Sequence, residues 1–246
     1  MNISLAAEPL AHLGSLPVTN TIIMATVVAI VLVALLVPFR KSNALLALVE
    51  GMLLFADGIT GNRKKTIEFF PFVATLFVFI LGSNFLELVP GLGSIGIYEE
   101  LHGKTILVPF IRSASADLNF TGGLAILSVA AAQWYGMKHG GYFRYWGKFI
   151  VPPWKQPYLI GTFVGVLEFI SEFAKVISFS FRLFGNIFAG EVLLLIIGFL
   201  LPYLAPLPFL FLEIFVGIVQ ALVFSVLTLV FINLATESHD ASPAHS

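Results

Sequence analysis

The chain contains no cysteine, which removes disulfides, thiolate metal sites and thiol nucleophiles together. Charge is also scarce. Asp, Glu, Lys and Arg make up only 11% of the 246 residues and the formal net charge is −1, so no basic surface exists to neutralise phosphates and nucleic acid is excluded as a partner. The five histidines, His12, His102, His139, His239 and His245, are scattered without ligand spacing, so no metal centre is expected. No GxxxxGK[ST] loop or other cofactor fingerprint is present, which argues against nucleotide chemistry and against an enzyme in its own right. Residues 1–20 hold neither Lys nor Arg; the basic n-region of a secretory signal is missing and no cleavage is expected. What remains is 58% hydrophobic with 25 phenylalanines, the composition of a polytopic membrane protein rather than a soluble domain.

The few basic residues orient the apolar runs. Residues 21–39 form the first spanning candidate, closed by Arg40 and Lys41, which places the 1–20 segment outside. Residues 42–57 fall short of the ~20 residues of a spanning helix. Within them Leu45, Leu48, Val49, Met52 and Phe55 recur at helical spacing behind Ser42 as N-cap, which predicts an amphipathic helix in the inner interface. Arg63, Lys64 and Lys65 hold the next span, 69–89, to the same side, with Pro71 in its first turn. Residues 90–116 read as a Gly-rich outer loop. A third span, 117–137, returns inward to Lys138, Arg144, Lys148 and Lys155. Then 157–201 runs outward, prolines 202, 206 and 208 turn the chain, and 206–235 returns, leaving the polar tail 236–246 in the cytoplasm. Nine of the thirteen basic residues fall in the two inner loops and two in the outer one, which supports this orientation. The expectation is a single membrane domain, all-α, of five spanning helices plus one interfacial amphipathic helix, the last two long and antiparallel.

The stretch Glu168 to Glu191, EFISEFAKVISFSFRLFGNIFAGE, departs from this apolar background. A charge at mid-helix in hydrocarbon costs about 2.5 to 3.5 kcal/mol on the most lenient scale, yet the stretch carries Glu168, Glu172, Lys175, Arg182 and Glu191. At about 100° per residue, Glu168, Glu172, Lys175, Arg182 and Asn186 share a stripe under roughly a quarter of the circumference, and only Glu191 points elsewhere. Folding the last two helices about residue 202 brings Arg182 level with Gln220 and Glu191 level with Glu213. Glu191 then lies about 13 Å to the outer side of Arg182, and Glu172 and Glu168 about 15 to 21 Å to its inner side. Carboxyls able to exchange protons thus flank a guanidinium that does not deprotonate, the layout of two half-paths separated by a plug.

These residues resemble a family. FRLFGNIFAGE from Phe181 to Glu191, followed by a last helix with Gln220, is similar to subunit a of F-type rotary ATP synthases, and the SADLN run at Ser115 to Asn119 falls in the matching order. The resemblance implies that Arg182 is the essential stator arginine, Asn186 and Gln220 its polar neighbours, Glu191 and Glu213 outer-path groups and Glu168 an inner acid. It also implies a ring of carboxyl-bearing c subunits, peripheral-stalk b subunits and the rest of the ATP synthase as partners, with the proton as the first-choice ion. A bacterial plasma (inner) membrane is the expected location. One departure is visible: Val176 stands where family members often have proline.

Several residues keep two readings on sequence alone. Asp117, with Asn119 beside it, either caps its helix or lines the outer path. Lys175 either snorkels or balances Glu172, and has no assigned role. Gly185 and Ala189 admit a close neighbouring helix. The rival function is an independent secondary ion transporter or channel, which would need its own substrate site, usually within repeated halves, and no internal repeat is visible.

Overall fold

A computed structural model describes residues 9–13, 16–89, 96–101, 104–109, 114–142, 158–201 and 204–237. Six helices carry the fold: α1 (Asn20–Phe39), α2 (Asn43–Thr60), α3 (Arg63–Glu87), α4 (Leu118–Gly140), α5 (Tyr158–Leu200) and α6 (Pro206–Glu237). Two antiparallel hairpins accompany them, β1 (Pro9–Leu13) with β2 (Leu16–Thr19) before α1, and β3 (Gly96–Leu101) with β4 (Lys104–Pro109) between α3 and α4. The first falls within the N-terminal segment 1–20, and the second shows paired strands within the Gly-rich loop expected at 90–116. In the second, Ile97, Tyr98, Thr105, Ile106 and Val108 supply the β-branched and aromatic content that favours pairing.

Among the described residues, five helices are long and apolar enough to cross a membrane: α1, α2, α3, α5 from Phe163 onward, and α6. The number equals the expected one, but composition admits α2 and not α4. Thr121, Gly122, Gly123, Ser128 and Gln133 dilute the hydropathy of α4, and two of them, Thr121 and Ser128, lie on its buried face with Leu124, Ala125, Val129, Ala132 and Gly136. That face packs against both α5 and α6, where small residues let helices approach closely in a membrane.

Three local expectations are corrected. Ser42 occupies the N-cap of α2 with an extended backbone, but its side chain makes no capping bond. Helix α3 starts at Arg63 rather than 69, because the Asn62 side chain accepts from the Lys64 amide and the basic cluster then forms the first turn. Pro71 therefore lies well inside α3 and not in its first turn. It is exposed, so the carbonyl of Ile67, which proline's missing N–H leaves without its helical partner, falls on the periphery of the bundle. At the other end of α2, Gly61 with φ +63° returns its amide to the Asp57 carbonyl and turns the chain into α3.

The core is where α3, α4, α5 and α6 meet: Leu76 and Ile80, Leu124 and Ala125, Phe179 and Leu183, Ala221 and Phe224. A second cluster toward the α2 side joins Ala56, Phe69, Val73, Ala132, Leu229 and Ile232. Helix α1 docks on α3 through Met24 and Val28. Large apolar side chains cover the outside, Ile30, Val33, Val37 and Phe39 on α1 and Phe163, Ile170, Phe173, Ile177 and Phe181 on α5, as expected of surfaces that face lipid or other helices rather than water.

The α1–α3 contact depends on Gly82. A β-carbon there would lie 3.3 Å from both δ-methyls of Leu32 and 3.4 Å from a γ-methyl of Val28. Gly82→Leu should destabilise the protein by about 1 to 3 kcal/mol through overpacking. Gly123→Ala, with nothing within 4 Å, should change stability by less than about 1 kcal/mol. Thermal unfolding in detergent measures both.

Candidate ion-path site

The site is built on α5, a helix of 43 residues without an internal proline. Its inward face consists of Phe179, Ser180, Leu183, Ile187 and Gly190, all buried against α4 and α6. The polar stripe runs beside that face and is only half-buried or exposed: Glu168, Glu172, Lys175 and Arg182 are half-buried and Asn186 is exposed. The chain thus presents its charged stripe to the outside of the bundle.

Arg182 is held by uncharged groups. Its Nη2 donates to the Ser178 hydroxyl at 3.3 Å, one turn back, and its guanidinium carbon lies 6.0 Å from the centre of the Phe179 ring. Among the described residues no carboxylate lies within ion-pair distance of it. The inner part of the stripe is different, because Lys175 Nζ meets Glu172 Oε1 at 2.7 Å, an i,i+3 pair, and also sits 4.9 Å above the Phe231 ring of α6. Lys175 therefore balances Glu172, one of the two readings its position allows.

The α5–α6 hairpin brings the expected polar groups to the same depth with one shift. Gln220, buried to 3% exposure, accepts from Asn186 Nδ2 at 2.7 Å; its partner is Asn186 rather than Arg182, one turn further out. Glu213 is 8% exposed and its carboxyl group rests on the backbone of Gly190, where a β-carbon would overlap it, so it lies beside Glu191 in depth. Glu191 itself is half-buried.

Asp117 is placed by its contacts. Its Oδ1 accepts from the Asn119 amide at 2.9 Å, capping α4, and its Oδ2 accepts from the Thr21 hydroxyl at 2.9 Å, tying that cap to the start of α1. Asn119 contributes this amide while remaining exposed.

The site thus joins an arginine on the edge of a long apolar helix to a Gln–Asn pair and two carboxyl groups at neighbouring depths on the final hairpin, and similarity to known proteins gives the chain a family. The family model for the ATP synthase A chain matches residues 17–233, nearly the whole chain. The chain belongs to that family. It is 34% identical over 203 residues to ATP synthase subunit a of Syntrophobacter fumaroxidans, covering 82% of this chain and 74% of the relative. The Campylobacter jejuni (strain RM1221) subunit a is 32% identical over 201 residues, covering 82% and 79%. The Legionella pneumophila (strain Philadelphia 1) subunit a is 30% identical over 243 residues, covering 94% of each.

In this member of the subunit a family, the structure adds polar contacts that charge counting misses. Asn84, 2% exposed, donates from Nδ2 to the Gly217 carbonyl of α6 at 3.2 Å and accepts from the Ser115 hydroxyl at 3.1 Å, joining α3, α6 and the approach to α4. Thr121 and Ser180 share a buried hydrogen bond of 3.3 Å between α4 and α5. Asn84 is the one amide in the largely apolar run FVFILGSNFLELV, and a polar amide in such a setting is itself a signal. Ser115, Thr121 and Ser180 give none, since hydroxyls can satisfy themselves on their own helix.

Two outcomes are expected. Asp117→Ala should cost about 1 to 2 kcal/mol in thermal unfolding as the cap is lost. Asp117→Asn keeps the carbonyl oxygen that caps α4, and its amide nitrogen can donate to the Thr21 hydroxyl with that bond reversed, so it should retain most of the stability and ion-driven ATP synthesis; loss of synthesis in the stable Asn variant would make the carboxyl a proton carrier instead. Gly190→Ala should displace the Glu213 carboxyl group and slow ion-driven synthesis in an assembled complex. Added to Glu213→Ala it should slow it no further, since the two act through one contact.

Proposed function

We propose that this chain is the proton-translocating stator subunit of a rotary ATP synthase, itself without ATP chemistry, and that it provides two half-channels to a rotating ring of carboxyl-bearing c subunits. The observation that carries this reading is Arg182, a fixed cation on the outward face of an otherwise apolar helix with no carboxylate partner among the described residues. On this reading the neutralising charge comes from another subunit, and one that departs again, since a permanent partner would leave nothing to translocate.

On this reading Glu191, Glu213, Asn186 and Gln220 line or adjoin the outer half-path, and Glu168 and Glu172 the inner one. A proton arriving from outside neutralises a ring carboxylate, which can then move into lipid at low cost, while a carboxylate arriving from the other side is held ionised opposite Arg182. A membrane potential contributes about 2.3 kcal/mol per charge per 100 mV and biases the rotation. Of the helices, α1, α3, α4, α5 and α6 span and α2 lies in the interface. The N-terminus is outside and the C-terminus cytoplasmic, in a bacterial plasma membrane, with b subunits and the remaining ATP synthase subunits completing the assembly. Family membership and the identity of the relatives as ATP synthase subunits support the complex; the unmatched cation supports the division of labour within it.

Arg182→Ala should stop coupled synthesis while the assembled complex gains a passive proton leak. Arg182→Lys keeps a charge, but a buried ammonium can lose its proton and lacks the planar fork that grips a carboxylate, so it should also fail to couple. ATP synthesis and passive flux are measured together in vesicles. Normal coupling in either variant, with normal assembly, would overturn the mechanism, and ion flux by the purified chain alone in liposomes would favour an independent transporter.

A further inference from the structure

Arg182 raises a mechanical problem that the proposed function leaves unsolved. A long arginine side chain carries about 2 kcal/mol of rotamer entropy, and with no carboxylate partner among the described residues and a single 3.3 Å hydrogen bond to Ser178 it has room to lean toward water on either side. A guanidinium that leans into one half-path no longer separates the two.

Four side chains around it address this. Phe179 lies three residues before Arg182 and is 2% exposed, locked by tilted contact with Phe224 at 4.8 Å and by near-parallel stacking on Phe231 at 5.4 Å and 21°, both from α6. The guanidinium carbon lies 6.0 Å from the Phe179 ring centre. At the other ring of the pair, Lys175 Nζ lies 4.9 Å from the Phe231 ring centre and is paired at 2.7 Å with Glu172. Each ring of the stacked pair thus has one cation near it. Residues 175, 179 and 182 fall on successive turns of one helix face, and Phe231 reaches across from the neighbouring helix to stack on the middle one.

An aromatic face is electron-rich and attracts a cation placed near it, the more so where water is excluded. Two cations on one stack each fix a ring, and the rings tie both cations to α6, the helix that carries Gln220 and Glu213. We propose that Phe179 and Phe231 are positioning residues for Arg182, with the Lys175–Glu172 pair clamping the inner end of the stack, so that the guanidinium stays at one depth on the face of α5. This rests on Arg182 separating the half-paths. It also gives Lys175 a role that its charge alone does not suggest: it secures the stack, and Glu172 keeps its charge balanced.

The test uses the whole ATP synthase in membrane vesicles, with assembly checked by co-purification. Phe231→Leu keeps apolar bulk and loses the ring face; Phe231→Tyr keeps the face. Phe231→Leu should lower ATP synthesis per proton passed by roughly two- to tenfold, with raised passive proton flux and normal assembly. Phe231→Tyr should restore coupling. Lys175→Met should shift coupling the same way and add little to Phe231→Leu, because both break one stack. If Phe231 only fills space, the Leu variant should couple normally or fail to assemble, and the Tyr variant should show no advantage over Leu; either result overturns the proposal. Arg182→Ala run in parallel separates the two levels: if it couples normally, the role of Arg182 itself falls. If it uncouples while Phe231→Leu and Lys175→Met do not, the stack alone is refuted.

Discussion

A guanidinium in an apolar setting, with no carboxylate among the described residues to neutralise it, is the constraint on which the rest of this structure depends. Charges at mid-membrane cost about 2.5 to 3.5 kcal/mol even on lenient scales, and the groups that meet Arg182 from within the chain, the Ser178 hydroxyl and the Phe179 face, are uncharged. They solvate the cation without cancelling it. Helices α3, α4 and α6 pack against the buried face of α5 that adjoins the stripe, leaving the stripe along its edge. The fold is therefore a buttress for one helix surface.

Polar groups bridge the helices of that buttress. Neutral ones join Asn84 to Gly217, Ser115 to Asn84, Thr121 to Ser180 and exposed Asn186 to buried Gln220. Charged ones on α5 lie along the edge, while two acids are buried: Asp117, bonded to Thr21 of α1, and Glu213 of α6, seated in the notch left by Gly190. Hydrogen bonds between membrane helices average about 0.6 kcal/mol, too little to hold the bundle together, but each is met only at one register. Their effect is to fix the relative depth of helices, and depth is what a path with an outer and an inner half requires.

The helices are legible in the sequence because hydropathy and basic loops report on whole segments. Their ends are not, since they depend on single side chains: Asn62 starts α3 six residues before its apolar run, and Pro71 is accommodated inside a helix because it faces outward. The hairpins at 9–19 and 96–109 escape because strands this short give too little alternation to separate from a loop. The stripe on α5 is legible residue by residue, since charges spaced at a 3.6 period in an apolar run are too costly to persist without a use. Depth across the α5–α6 hairpin is legible to within a turn, which is why Gln220 meets Asn186 rather than Arg182. Phe179 and Phe231 are not legible at all. In a chain with 25 phenylalanines, composition does not distinguish a ring that fills space from one that faces a cation.

The surroundings of Arg182 set what a partner must be like. Exposed Phe173, Ile177 and Phe181 lie on the side of α5 turned away from the stripe, whereas the positions next to Arg182 carry small side chains. Gly185 and Ala189, one turn apart beside Arg182 and Asn186, are small, and nothing lies within 4 Å of where a Gly185 β-carbon would be. A helix can therefore approach α5 closely there, as small-residue pairs permit in membranes, and close approach lets a short acidic side chain reach the arginine. Apolar contact on both sides then excludes water, and the attraction between carboxylate and guanidinium grows as the local dielectric falls. On the proposed function that attraction must still be broken at every step of a ring, so the site works only if it grips an ionised carboxylate and releases a protonated one. A neutral cradle around the arginine serves that end better than a resident acid would, because it leaves the full charge of Arg182 available to a transient partner.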